Sequence, residues 1–343
     1  MRITKLGGTL GPACDDPAVL AGLLGAGLDL ARINFSHGEP EDARRRVRRF
    51  RRAARDSGRT VALLGDLQGP RFRIGTLPGG RLELEPGAGI DVIAGTERSP
   101  AGTLPVPWPA LSRQARRGTT LRIDDGNVVL RVESVRGARL RCRVERGGPV
   151  GDRKGINLPG AELAKSAFTA KDRRDLALAA ELRCDALLVS FVRGASDVRL
   201  ARRLLERAGS TMAVVAKIER PEALDRLAEI LDAADGVLVA RGDLGVELPL
   251  ERLPGLQKEV LAAARAVGKR GIVAAHLLAS MTVSDRPARS EVIDVANAVL
   301  DGASALLLTG ETAVGAHPVA AVEAMARIVD EAESWSERRG WWS

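Results

Sequence analysis

Eight short aliphatic runs punctuate this chain, and each is followed by a stretch with helical patterning. The runs are Ile3–Leu6, Leu28–Asn34, Val61–Asp66, Ala186–Ser190, Ala213–Ile218, Gly236–Ala240, Ile272–Ala275 and Ala305–Leu308. The amphipathic stretches between them are Pro17–Leu24, Glu41–Asp56, Lys171–Leu182, Ser196–Arg207, Pro221–Leu231, Leu256–Val267, Arg289–Leu300 and Pro318–Glu333. Strictly alternating strands and helices predict a parallel sheet with crossover helices. Runs that are apolar throughout predict strands buried on both faces. A count of eight predicts closure into a barrel.

One connection breaks the rhythm. From Gly69 to Lys154 there is no good helix, many Gly and Pro residues, and short alternating runs at Arg81–Leu84, Ile90–Ile93, Thr120–Ile123, Val128–Val132 and Leu140–Val144. Asp125-Gly126 is a hairpin signal. The stretch is too long for a plain loop. The chain is therefore expected to be α/β: a (β/α)8 TIM barrel with an inserted small β-barrel lid domain, at the barrel's C-terminal mouth. The expected boundaries are residues 1–68 and 155–333 for the barrel, 69–154 for the insert, and 334–343 for a short tail. That tail holds three tryptophans, which either cover an apolar patch or are unstructured.

Composition limits what this fold serves. Hydrophobic residues at 45% and charged residues at 28% fit a folded globular chain. No apolar run is long enough to span a membrane, and the N-terminus lacks the apolar core of a signal peptide. The three cysteines, Cys14, Cys142 and Cys184, are far apart without metal-type spacing, as in a reduced, cytoplasmic protein. The net charge is +8, densest in ARRRVRRFRRAAR (Ala43–Arg55). Val47, Phe50 and Ala54 give that segment one apolar stripe, so it reads as a solvated helix. With 3% aromatic residues and no tyrosine, the chain offers no stacking platform for a nucleic acid. The field suits an acidic small molecule instead. Lysine survives at only seven positions, which marks them for work that arginine cannot do.

Functional residues of such barrels sit at the C-terminal ends of strands. Those ends carry Arg32, Asn34, Ser36 and His37; Asp66 and Leu67; Ser190; Lys217 and Glu219; Gly242 and Asp243; Ala275 and His276; and Glu311. Glu219 and Asp243 are hard oxygen donors at the ends of adjacent strands, suited to one magnesium ion. Lys217 points to the same side as Glu219 and can set a point charge on a phosphoryl group. Arg32 can grip phosphate as a fork. Gly242 lets a substrate approach the backbone, where its amide can donate to a carboxylate. Any one of these pairs alone is better explained as an ion pair. Their joint placement at strand ends points to phosphoryl transfer, which is mostly positioning and charge neutralisation.

The motifs ARINFSHG (31–38), KGINLPG (154–160), KIE (217–219), ARGDLGVELP (240–249), DVANAVLDGA (294–303) and TGETAVGAHP (309–318) resemble, together and in order, the pyruvate kinase family. The resemblance runs from Thr4 to about Glu333. It implies magnesium- or manganese-dependent transfer between phosphoenolpyruvate and ADP, giving pyruvate and ATP in glycolysis. By position it implies that Lys217 stabilises the phosphoryl group and that Glu219 and Asp243 hold the metal. Arg32 contacts the phosphates of both substrates. Arg73, Lys154 and His37 meet the nucleotide, and Gly242 and Asp243 offer backbone to the pyruvate carboxylate, with Ser190 and Ala275 also lining the substrate pocket. A homodimer through barrel contacts is expected.

Three departures qualify the resemblance. The family normally carries a C-terminal domain, often with an allosteric sugar-phosphate site, and regulation of that kind is not expected here. The family's Ala-Thr-Gln-Met is Ala274-Ala275-His276-Leu277, so the threonine hydroxyl at the enol end is missing. Asn34, Ser36, Asp66 and the carbonyl of Leu67 match the family's potassium ligands, yet Leu67-Gln68, Arg71 and Ile74 resemble its potassium-independent branch. A fixed charge at Arg71 then predicts activity without potassium. Two other readings stay open: a related enzyme for another enol phosphate or 2-keto acid, and a regulatory nucleotide-binding barrel.

Overall fold

The computed structural model describes residues 2–160 and 168–340. Its contacts separate two compact units: Met1–Gly69 with Ser166–Leu244 and Glu251–Ser343, and Pro70–Lys165 with Gly245–Leu250.

The first unit is a closed barrel of eight parallel strands. They are β1 (Lys5–Thr9), β2 (Leu30–Asn34), β3 (Ala62–Asp66), β4 (Ala186–Val189), β5 (Ala213–Ile218), β6 (Gly236–Ala240), β7 (Arg270–Ala274) and β8 (Ala305–Leu308). Each pairs with its neighbours in sequence, and β8 returns to β1 with Lys5 opposite Ala305. Strand β1 starts two residues and ends three residues later than the sequence suggests, running through Gly7 and Gly8. A Cβ on Gly7 would stand 2.8 Å from Leu307 Cδ1, so the barrel interior there needs a bare backbone.

The helices close over the outside of the ring. Helix Pro40–Asp56 is the arginine-rich segment, and it buries Ala43, Val47, Phe50 and Ala54. Its arginines pair with carboxylates: Arg44 with Glu181, Arg46 with Asp15, Arg48 with Glu41. The stretch expected as one helix from Pro221 to Leu231 is two, Pro221–Asp225 and Leu227–Ala233, broken at Arg226 with φ −120° and ψ 22°. The last helix runs Pro318–Arg339, so the expected tail is helical through Arg339, with Trp335 partly exposed. Trp341 and Trp342 lie outside the described residues. Among the described residues no helix is long and apolar enough to cross a membrane.

The second unit holds a six-stranded sheet and a two-stranded ribbon. The sheet runs in the order Ile156–Asn157, Thr120–Ile123, Val128–Arg136, Arg139–Arg146, Gly89–Ala94, Thr103–Val106. The hairpin at Asp124-Asp125-Gly126 turns with φ of 53°, 54° and 86°. The unit extends past the expected boundary at Lys154 because Ile156 pairs with Ile123. It has its own apolar core, including Val92, Leu104, Leu121, Leu130, Leu140 and Cys142, and Phe72 stacks on Trp108 at 3.8 Å.

Two buried thiols make a prediction about alkaline stability. Burial pushes Cys142 and Cys184 each up to about 12, with Asp91 adding to the effect at Cys142 and Arg51 opposing it at Cys184. An unfolded thiol ionises near 8.5. Keeping these groups neutral therefore stabilises the fold fully below that pH, and the contribution is lost as pH rises toward 12, at up to about 1.4 kcal/mol per pH unit per thiol. The Cys142→Ala/Cys184→Ala chain is expected to lose less melting temperature between pH 8 and 10.5 than the parent. Parallel curves would refute this.

Candidate active site

The barrel interior decides what its mouth can present. Leu64, Leu188, Val215, Leu238, Ile272 and Leu307 belong to one buried cluster, with Leu30 packed against it. Side chains on a strand alternate faces. Two residues beyond Leu30, Leu64, Leu188 and Val215, the chain therefore turns Arg32, Asp66, Ser190 and Lys217 to the same side.

These four groups meet. Asp66, 1% exposed, accepts from Arg32 Nε at 2.6 Å and faces Lys217 Nζ at 3.3 Å. Lys217 Nζ stands 2.8 Å from Glu219 Oε1 and donates to Ser190 Oγ at 2.7 Å. Ser190 in turn donates to the carbonyl of Leu67 at 2.8 Å, so its hydroxyl is committed on both sides. Arg32 Nη1 donates to Thr9 Oγ1 at 3.0 Å, and Glu219 Oε2 accepts from the Phe191 amide at 2.7 Å. Burial acts to lower the Lys217 pKa, but Asp66 and Glu219 outweigh it and hold the ammonium charged.

Two buried carboxylate oxygens, Glu219 Oε1 and Asp66 Oδ1, face the Lys217 ammonium, at 2.8 and 3.3 Å. Burial pushes the Glu219 carboxyl up, Lys217 pulls it down, and the charge of Asp243 pushes it up again. Two carboxylates that repel, one of them buried, fit a divalent cation that keeps waters and takes further oxygens from substrate. Among the described residues no group of three or more His, Cys, Asp or Glu stands ready to enclose a metal.

Asp243 does not end a strand as expected. Strand β6 stops at Ala240, and Gly242 and Asp243 lie in the first turn of helix Arg241–Glu247. A Cβ on Gly242 would be 3.7 Å from Ala275 Cβ and 3.9 Å from His276 Cε1, which places the three together. Strand β7 ends at Ala274, and Ala275 and His276 take left-handed φ of 75° and 54°. Alternation along a strand therefore no longer separates them. Such conformations are uncommon without glycine; here Arg241 holds the Ala275 carbonyl through Nη2 at 2.7 Å and Nε at 3.1 Å.

The family model described as "Pyruvate kinase, barrel domain" matches residues 1–322. The chain belongs to the pyruvate kinase family. The pyruvate kinase of Mycobacterium tuberculosis (strain H37Rv) is 44% identical over 328 residues, 96% of this chain and 70% of that protein. Those of Agrobacterium vitis and Thermococcus litoralis are 45% and 41% identical over 98% of this chain, and 70% and 71% of theirs.

Within this pyruvate kinase fold the other expected residues fall into two sets. In the barrel, Asn34 Oδ1 accepts from the Ser36 amide at 3.0 Å, and exposed His37 follows in the same turn. The Leu67 carbonyl takes the Ser190 hydroxyl. Glu311 is a structural latch: its oxygens accept from the amides of Leu278 at 3.1 Å and Thr309 at 2.7 Å. In the insert, Arg73 bridges to Gly155 and donates to the Arg153 carbonyl at 2.9 Å, while Lys154 pairs with Asp124 at 2.8 Å. Arg71 reaches Asp125 at 3.8 Å. Sequence reasoning missed Thr9, the Phe191 amide and Arg241, and it missed Asp172, whose Oδ1 accepts from the Gly69 amide at 2.9 Å.

Proposed function

We propose that this chain transfers a phosphoryl group between phosphoenolpyruvate and ADP, with pyruvate and ATP as the other pair. The observation that carries this reading is a buried Lys217 held charged between Asp66 and Glu219, beside an equally fixed Arg32. The lysine places a point charge where the phosphoryl group passes, already oriented and shielded from water. Arg32, with Nε and Nη1 anchored, keeps its outer N–H groups for phosphate oxygens. Gly242 and Asp243 offer backbone to the substrate carboxylate, next to Ala275. Glu219 and Asp243 would hold magnesium, or manganese, which would supply positive charge to neutralise the phosphates. Arg73, Lys154 and His37 contact the nucleotide, and the insert serves as the lid.

The reaction runs without potassium in this reading. Asp66, one expected potassium ligand, is already neutralised by Arg32 and Lys217, and the Leu67 carbonyl already accepts from the Ser190 hydroxyl. Turnover with magnesium in buffer free of sodium and potassium is expected to stay within about twofold of that with added potassium. A strong rise on adding potassium would sink this part.

Ala275 and His276 support a second reading. Without a threonine hydroxyl and with an imidazole beside Gly242, the pocket at the methylene end is reshaped. A substituted enolpyruvate phosphate turning over faster than phosphoenolpyruvate would favour it.

A further inference from the structure

Arg241 immediately precedes Gly242, yet its side chain reaches across to the end of the neighbouring strand β7. Nη2 and Nε both donate to the Ala275 carbonyl, at 2.7 and 3.1 Å. Nη1 donates to Asp294 Oδ1 at 2.7 Å and to Gln257 Oε1 at 3.4 Å. Gln257 is buried and is itself held: its Nε2 donates to Asp301 Oδ2 at 2.9 Å, and Asp301 also pairs with Lys258. Asp294 lies on helix Arg289–Leu300 and Gln257 on helix Leu253–Ala266, so two outer helices of the barrel fix one guanidinium. All of these residues belong to the barrel unit. Asp294 and Asp301 come from the motif DVANAVLDGA, whose residues take no part in the phosphoryl-transfer chemistry proposed above.

The carbonyl that Arg241 grips stands in a turn that needs a constraint. Ala275 and His276 have φ of 75° and 54°. Non-glycine residues keep such backbone only where their surroundings over-determine it. The fork on the Ala275 carbonyl supplies that constraint. Arg241 is also covalently joined to Gly242, so it ties the two walls together, where a Cβ on Gly242 would be 3.7 Å from Ala275 Cβ.

We infer that Arg241 and Asp294 are a positioning pair. Asp294 orients the guanidinium, and the guanidinium holds the Ala275–His276 turn against Gly242. The consequence for turnover rests on the reading that Gly242 and Ala275 line the substrate pocket; the clamp on the turn does not.

The test uses the full chain with Asp294→Ala, Asp294→Asn and Arg241→Lys. Asp294 is partly exposed, so its removal should leave the barrel folded. The Leu278 amide, bonded to Glu311 at 3.1 Å, reports on the turn just before it. Without ligand, its hydrogen exchange is expected to rise about tenfold in Asp294→Ala, the scale of one lost charged hydrogen bond. Exchange in strand Ala213–Ile218 should not change. In turnover, the KM for phosphoenolpyruvate should rise about tenfold while kcat falls less than about threefold, as for lost uniform binding. The KM for ADP should stay within about twofold, because the nucleotide meets other residues. Asp294→Asn keeps an acceptor and should show the same pattern at about threefold. Arg241→Lys should match or exceed Asp294→Ala, since a single ammonium does not reproduce a fork. Unchanged exchange at Leu278 in Asp294→Ala, or KM values for both substrates rising together, overturns the inference. If exchange responds as expected but the parent chain turns over no phosphoenolpyruvate, the clamp stands and the assignment of the site falls.

Discussion

Lys217→Met is expected to lower kcat by about 10²–10³-fold, the cost of removing one pre-oriented charge from a water-excluded site. The loss follows from the burial of Lys217 and its fixed position between Asp66, Ser190 and Glu219. Methionine fills similar space but supplies no charge. The same change removes the counterion of Glu219, and breaking a buried pair costs about 3–5 kcal/mol. Glu219 then takes up a proton more readily, because burial already pushes its carboxyl up. Melting temperature should therefore fall, and activity must be read well below the transition. A kcat within tenfold of the parent, in a folded variant, contradicts the role given to Lys217.

Asp66→Asn should be the most damaging change to stability in the barrel mouth. Asp66 neutralises two buried cations at once, Arg32 at 2.6 Å and Lys217 at 3.3 Å. Asparagine keeps the shape and removes the charge, leaving Arg32 opposed to Lys217 with Glu219 as the remaining partner. Loss of about 3–5 kcal/mol is expected in denaturant unfolding. Arg32 also loses its anchor, so phosphoenolpyruvate binding should weaken with it. An unfolding midpoint equal to the parent's would show that the Arg32–Asp66–Lys217 network carries no net stability.

The fold was legible wherever local chemistry and tertiary need agree. Runs of β-branched and aliphatic residues gave Ala213–Ile218, Gly236–Ala240 and Ala305–Leu308 with their bounds as found. Strand β1 was placed early because Gly7 and Gly8 are poor strand formers, while the fold requires them for close approach to Leu307 inside the barrel and to Leu28 in the core outside it. The break at Arg226 had no Gly or Pro to announce it. The grouping of Arg32, Asp66 and Lys217 on one side was legible for the same reason as the strands. Period-two alternation carries Leu30 to Arg32, Leu64 to Asp66 and Val215 to Lys217, so the interior pattern also aims the polar groups.

Other features of the site are held by contacts that no local pattern encodes. Asp172 meets the Gly69 amide across 103 positions, and Arg241 meets the Ala275 carbonyl across 34. Strand alternation would put Ala275 and His276 on opposite faces. The strand had already ended, and left-handed backbone brings both residues beside Gly242.

The most direct test is to mix the chain with phosphoenolpyruvate, ADP and magnesium, without potassium, and to measure pyruvate and ATP together. The account predicts equal amounts of both products, none without magnesium, and a rate that collapses in Lys217→Met. Pyruvate without matching ATP, or no product from a chain that binds magnesium and nucleotide, would contradict it.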